Sequence, residues 1–306
     1  MTPQLITPEI ETQLDWKELI VALEEGHSVP RAEIEDSFLY RGADTLLSRA
    51  AWINGMGALV KTATIFPANS KKELASVNGA VSLFSDETGQ LEAMIDFHLV
   101  TKWKTAGDSL LSASKLARAD SSKITLVGAG TVARSMHSAY LALFPDAEFT
   151  IWNRSAQAAA NFAHDLPGTR VADCLEEAVR EADIICTATM ATEPLIRGEW
   201  LQPGQHLDLI GAFRPDMREV DDEALRRAHI FVDSRDTTLA HIGELKIPIS
   251  QGVLTTDDIQ ADFYDLSSGQ FTRPDPRSIT IAKNGGGAHL DLMTSRYIFR
   301  KWLEKE

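Results

Sequence analysis

The stretch Lys123–Ser135, KITLVGAGTVARS, constrains this chain more than any other. Ile124–Val127 is an apolar run of the kind that forms a buried parallel strand, and a helical pattern then continues to Phe144. Gly128, Ala129, Gly130 and Ala133 follow the strand as G-x-G-x-x-A. Each position has a physical task. Gly128 makes the tight turn, Gly130 has no Cβ to hold a pyrophosphate away from the backbone, and Ala133 lets the helix pack close to the strand. The helix N-terminus, entered through Thr131 and Val132, offers free N–H groups and a partial positive charge to phosphates. A lone glycine motif can be only a tight turn. Here the preceding strand, the following helix and a second strand at Glu148–Trp152 predict a dinucleotide site.

With 306 residues the chain has room for two domains with cores of their own. Apolar residues make up 44% and charged residues 24%, as in an ordinary globular protein, and no run approaches the length of a membrane span. The N-terminal MTPQLITPEIETQLDW has neither a basic nor an apolar leader region, so a cytoplasmic protein is expected. Cys174 and Cys186 lack metal-type spacing and read as reduced thiols; no metal is expected. A net charge of −14 disfavours nucleic acid as a partner, and an anionic ligand would need a local basic cluster.

Residues up to about 116 read as a small α+β unit. Ile6 to Leu23 has helix-like apolar spacing after Thr7-Pro8. Val29–Ser37 and Asp44–Ile53 read as antiparallel strands, and the strand through Gly55–Thr62 delivers Lys61 near its end. Ala80–Ser85 and Leu91–Ile95 flank a hairpin signal, and Phe97–Ala119 is helical. From Ser122 strands and helices alternate, which predicts a doubly wound parallel sheet, a Rossmann domain. Ile279–Ala282 is its last strand, and a helix from about His289 to Leu303 ends the chain. The fold class is therefore α/β, a dinucleotide-binding Rossmann domain beside an α+β domain.

The end of the second strand bears on the choice of cofactor. A carboxylate there favours NAD, whereas Trp152-Asn153-Arg154-Ser155 has no acid. Arg154 can stack on adenine and pair with a 2′-phosphate, and Ser155 can donate to it, so NADP(H) is the expected cofactor, with NAD(H) open. The plainer alternative is a surface arginine beside a helix N-cap. Thr187-Ala188-Thr189 follows another strand at its C-terminal end and is expected on the nicotinamide side, unless it is an ordinary turn. Asn284-Gly285-Gly286-Gly287 is either a close backbone approach to the nicotinamide or a helix-preceding loop.

Taken together, several blocks resemble the ornithine cyclodeaminase/mu-crystallin family. They are Arg41, Leu59-Val60-Lys61 with Phe66-Pro67-Ala68-Asn69, Phe84 to Thr88-Gly89, and Thr101-Lys102-Trp103-Lys104-Thr105-Ala106. Val127 to Gly130, Asn153-Arg154-Ser155, Ile210 to Asp221, and Ala288 to Asp291 complete the set. The resemblance implies a homodimer whose substrate and dimerisation domain comprises 1–116 with 289–306 and whose nucleotide domain is 117–288. It implies hydride transfer at the α-carbon of an imino or amino acid. Thr105, Gly128, Ala129, Gly130, Thr131, Val132, Asn153, Arg154, Ser155, Thr187, Ala188, Thr189, Gly211, Asn284 and Gly285 would serve the cofactor.

Two departures set the expected chemistry. Cyclodeaminases carry a catalytic Asp where this chain has Phe213, which can neither accept a proton nor pair with an ammonium, so reduction of a ketimine is expected instead. Lys104 stands where most members carry Arg; it keeps the charge and loses the bidentate fork. Trp103 beside it is also unusual. On this reading Arg41 and Lys104 bind the substrate carboxylate, Lys61 serves both binding and proton delivery, Phe213 forms an apolar wall, and Asp291 orients Lys61 or a bound water. Arg41 could instead be a turn residue, Lys104 a helix-surface lysine, and Asp291 a residue paired within the last helix. His289 is a further, weaker proton-donor candidate. The open alternatives are an alanine-type amino-acid dehydrogenase, a cyclodeaminase and a non-catalytic NADPH-binding protein.

Overall fold

Antiparallel alternation in the first third of the chain and βα alternation in the middle build different sheets. The computed structural model describes residues 2–72 and 74–305. It divides into two compact units, Met1–Lys104 with Gly287–Glu306, and Thr105–Gly286.

The first unit opens with β1 (Gln4–Ile6), a 3-10 turn over Pro8–Gln13 and α1 (Trp16–Ser28). The single helix expected across Ile6 to Leu23 is thus interrupted. Ile6 is drawn into pairing with Ile95, Pro8 starts a separate turn, and Asp15 caps α1 by accepting from the backbone N–H groups of Lys17 and Glu18. Next come β2 (Glu33–Arg41), β3 (Asp44–Ile53), β4 (Gly57–Ile65), β5 (Val77–Phe84) and β6 (Leu91–Asp96). They form one sheet in the order β1-β6-β5-β4-β3-β2, antiparallel except for β1 beside β6. Helix α2 (Phe97–Leu116) follows, and the division between the units falls within it, ahead of the change expected after residue 116.

In the second unit β7 (Lys123–Val127), α3 (Thr131–Leu143), β8 (Glu148–Trp152), α4 (Ala156–Asp165), β9 (Arg170–Val171), α5 (Leu175–Glu181), β10 (Ile184–Thr187) and β11 (His206–Leu209) alternate as expected. Helix α6 (Asp222–Arg227), β12 (His229–Val232), short helix α7 (Arg235–Thr238), α8 (Gly243–Ser250), β13 (Ile259–Ala261) and β14 (Thr280–Lys283) complete it. All eight strands are parallel, in the order β13-β12-β14-β11-β10-β7-β8-β9. Val127, Ile185, Leu207, Leu209, Ile230 and Ile281 lie in its core. The chain leaves β7 toward β8 and β9, then returns to place β10 on the other side of β7. That reversal of winding opens a crevice at the strand C-termini, where such sheets bind ligands. The final helix, α9 (Ala288–Lys305), belongs to the first unit and packs on β3 and β4. Among the described residues no helix is long and apolar enough to cross a membrane.

Candidate active site

In the second unit the turn after β7 is built as the glycine spacing requires. Gly128 has φ +106°, its N–H donates to the Trp152 carbonyl, and a Cβ there would lie 2.6 Å from the Ala188 carbonyl oxygen. Gly130 is the N-cap of α3, and a Cβ there would meet nothing within 4 Å. That open space above a helix N-terminus, followed by exposed Thr131 and Val132, fits a dinucleotide pyrophosphate. The side chain of Asn153 ties the turn to β8: its Oδ1 accepts from the Ala129 N–H at 3.2 Å, and its Nδ2 donates to the Ser155 carbonyl at 3.1 Å.

The loops after β10, β11 and β14 are braced by buried charges that sequence reasoning missed. Glu219, fully buried, accepts from the hydroxyls of Thr187 and Thr189 and from the N–H groups of Thr189, Gly211 and Ala212, at 2.7–3.2 Å. Glu244 accepts from the N–H groups of Glu219 and Val220. Burial, with the nearby charge of Glu219, pushes Glu244 up to about 7. The Lys283 ammonium spends its three donors on the carbonyls of Leu209, Ala212 and Asn284. Burial draws Lys283 below its ordinary range, against the opposing pull of Glu244 and Glu219. The only outward signs of this frame were a lysine ending an apolar strand and a glutamate next to Val220.

Asn284 is 2% exposed; its Nδ2 donates to Ser109 Oγ at 2.7 Å and Asp208 Oδ1 at 3.3 Å, and its Oδ1 accepts from Ser112. Burial holds Asp208 well above the usual carboxylate range. Gly285 has a packing reason to be glycine, since a Cβ would lie 2.2 Å from Thr238 Oγ1. Phe213 is 58% exposed, with the Arg214 guanidinium 5.8 Å from its ring. Thr105 is half-buried on α2.

The first unit assembles a different cluster. Because β4 runs on to Ile65, Lys61 stands mid-strand, and the register sets Arg49 of β3 directly across from it. From α9, Asp291 Oδ1 accepts from Lys61 Nζ at 2.8 Å, and its Oδ2 lies 4.0 Å from Arg49. Arg49 also pairs with Asp36 of β2 at 2.6 Å. Asp291 is fully buried, and Lys61 and Lys104 are nearly so. Burial pushes Asp291 upward, but the charges of Lys61, Lys104 and Arg49 outweigh it and hold the carboxyl below its ordinary value. Burial draws Lys61 down; Asp291 opposes this, while Lys104 and Arg49 reinforce it. His289 is held neutral by its burial and the surrounding cations, a poor state for a cationic acid.

Arg41 does not join this cluster. The pairing of Arg41 with Asp44 sets it, by strand alternation, on the sheet face opposite Lys61. Its side chain is 78% exposed, pairs with Asp44 at 3.0 Å and faces the Phe66 ring. Arg49 is the guanidinium beside Lys61, and its signal was the one basic residue within the strand Asp44–Ile53. Trp103 also has a structural explanation. It is buried, stacks on Trp16 with ring centroids 3.8 Å apart, and donates from Nε1 to Glu11 at 2.8 Å.

Against known proteins, residues 51–306 match the model of the ornithine cyclodeaminase/mu-crystallin family. The chain is 48% identical over 295 residues to a Δ1-pyrroline-2-carboxylate reductase of Paracoccus denitrificans, covering 94% of this chain and 93% of that one. Its structure is similar to that of Thermococcus litoralis Δ1-pyrroline-2-carboxylate reductase in complex with NADH and L-proline. The TM-score is 0.90 at 26% identity, covering 99% of this chain and 98% of that one. An archaeal alanine dehydrogenase dimer with bound NAD matches at TM-score 0.90 and 28% identity, covering 100% and 97%.

These structures correct the expectation of NADP(H), because the cofactors in both lack the 2′-phosphate. The residues behind that expectation have ordinary explanations here. Ser155 is the N-cap of α4, accepting from the Ala158 N–H at 3.3 Å, and Arg154 is exposed. The family model and the Paracoccus relative each span most of the sequence, and the chain belongs to the ornithine cyclodeaminase/mu-crystallin family.

Proposed function

We propose that this chain reduces a cyclic 2-imino carboxylate, such as Δ1-pyrroline-2-carboxylate or Δ1-piperideine-2-carboxylate, to the L-amino acid with NAD(H) as cofactor. The observation that carries this reading is the buried cluster around Asp291. Asp36 matches Arg49 and Asp291 matches Lys61, while Lys104 has no carboxylate within ion-pairing distance among the described residues. Lys104 acts on Asp291 only at longer range, so three cations share two carboxylates, and a buried cluster with one cation in excess is suited to receive a small carboxylate. The Paracoccus and Thermococcus relatives support the choice of substrate and cofactor.

Lys104 and Arg49 bind the substrate carboxylate. Lys61, anchored by Asp291, holds a proton toward the imine nitrogen, and a protonated imine accepts hydride far more readily than a neutral one. The nicotinamide, when bound, supplies the hydride. The turn at Gly128–Gly130 holds the pyrophosphate, and the frame of Glu219 and Lys283 fixes the loops at the strand ends. Most of the acceleration comes from fixed geometry rather than from a nucleophile.

The working form is a homodimer in the reducing cytoplasm, where Cys174 and Cys186 remain thiols. The dimeric alanine dehydrogenase relative supports the assembly, as does an apolar sheet face opposite Lys61 that exposes Leu5, Leu39, Leu46, Trp52 and Met94.

Initial rates of NADH oxidation with the two cyclic imines test the reading, with pyruvate plus ammonia and ornithine plus NAD run alongside. Rapid oxidation with a cyclic imine is expected. Turnover confined to pyruvate plus ammonia would replace it with an alanine-type dehydrogenase, and ammonia release from ornithine would replace it with a cyclodeaminase.

A further inference from the structure

Lys61 has a neighbour on its own sheet face that no charge argument reveals. The first residue of α2, Phe97, is 6% exposed, and its ring centroid lies 4.8 Å from Lys61 Nζ. This is within the range where an ammonium is attracted to the negative face of an aromatic ring. A second observation shows that the sheet makes room for the ring. Gly79 pairs with Ala63 on β4, one step along the same face from the pairing of Val81 with Lys61. A Cβ on Gly79 would lie 2.6 Å from Phe97 Cδ2 and 2.1 Å from the Thr62 carbonyl oxygen. Gly79 has no positive φ, so close approach, not backbone conformation, is what demands glycine there.

We infer that Phe97 is a positioning residue for Lys61, its ring holding the ammonium charged and in place while Asp291 fixes one of its N–H donors. The inference rests on the reading of Lys61 as the group that presents a proton to the imine. The charged groups facing Lys61 are Asp291 from α9, Lys104 from α2 and Arg49 from β3, the last paired with Asp36 of β2. Burial and two like charges pull this lysine toward its neutral form, and a single carboxylate opposes them. An aromatic face adds stabilisation of the cation without adding an anion that would compete with a substrate carboxylate.

The test compares Phe97→Leu, which keeps apolar bulk, with Phe97→Tyr, which keeps the ring. Lys61 is titrated directly in the substrate-free protein by pH-dependent amine acylation read by mass spectrometry, and the alkaline limb of kcat/KM is recorded alongside. In Phe97→Leu the acylation midpoint of Lys61 is expected to fall by about one pH unit, while Phe97→Tyr stays near wild type. The KM for NADH should not move. An unchanged midpoint in a folded Phe97→Leu protein would overturn the inference. A midpoint that falls while the alkaline limb of turnover stays in place would uphold the role of Phe97 and overturn instead the assignment of the proton to Lys61.

Discussion

Replacing Asp291 by Asn removes the only carboxylate in contact with Lys61 in the described structure while keeping the side chain's size. At separations of 2.8 Å from Lys61 and 4.0 Å from Arg49, the gross attractions are about 6 and about 4 kcal/mol at an effective dielectric of about 20. The net loss is smaller, because desolvation already offsets much of this. Removing one partner of a buried pair costs about 3–5 kcal/mol, and the lower end applies here since the asparagine carbonyl can still accept from Lys61.

The loss should depend on pH in a definite direction. Without Asp291, burial and the charges of Lys104 and Arg49 act on Lys61 unopposed, and its pKa in the folded protein falls further below the unfolded value. Between those two values the unfolded chain binds more protons, so the variant gains stability as pH rises. Urea unfolding of Asp291→Asn and wild type at about pH 7 and about pH 9.5 measures this; the deficit should be about 3 kcal/mol at the lower pH and clearly smaller at the higher. A deficit below about 1 kcal/mol at neutral pH, or one that does not change with pH, would refute the reasoning.

Three further substitutions probe the separate parts of the site. Gly128→Ala places a methyl 2.6 Å from the Ala188 carbonyl at a φ of +106°, so the NADH dissociation constant, read by fluorescence titration, should rise by about tenfold or more. Arg49→Ala should raise the KM for the imino acid by at least about tenfold, whereas Arg41→Ala, at an exposed hairpin end, should leave it within about twofold. Equal effects of the two arginine variants would undo the placement of the carboxylate site.

The nucleotide-binding half was the more legible in the sequence because its signals are local. The run Ile124–Val127, the glycines at 128 and 130 and the helix after them lie within a few residues of one another, and the structure joins them as that spacing requires. Lys61 was also visible, as a charge in an otherwise apolar strand, and Asp291 through the family resemblance. Arg49 was not, because its role follows from strand register, and register depends on hairpins that alternation leaves free to slip. Arg41 drew attention through the family resemblance, yet the same register turns it to the other face.

The helix expected across Ile6 to Leu23 failed where a tertiary strand pairing and the cap at Asp15 overrode a periodic pattern. Glu219, Glu244 and Lys283 were illegible for a related reason. Their partners are mostly backbone groups on loops distant in sequence, and nothing in composition marks a backbone carbonyl as waiting for a lysine.

The most direct measurement of the central claim follows the hydride itself. The protein is incubated with Δ1-pyrroline-2-carboxylate and NADH carrying deuterium at C4 of the nicotinamide, on each face in turn, and the product is examined by NMR and chiral chromatography. The account predicts L-proline with deuterium at the α-carbon from one of the two labelled cofactors. Proline without label from either cofactor, or no proline under conditions where NADH binds, would contradict it.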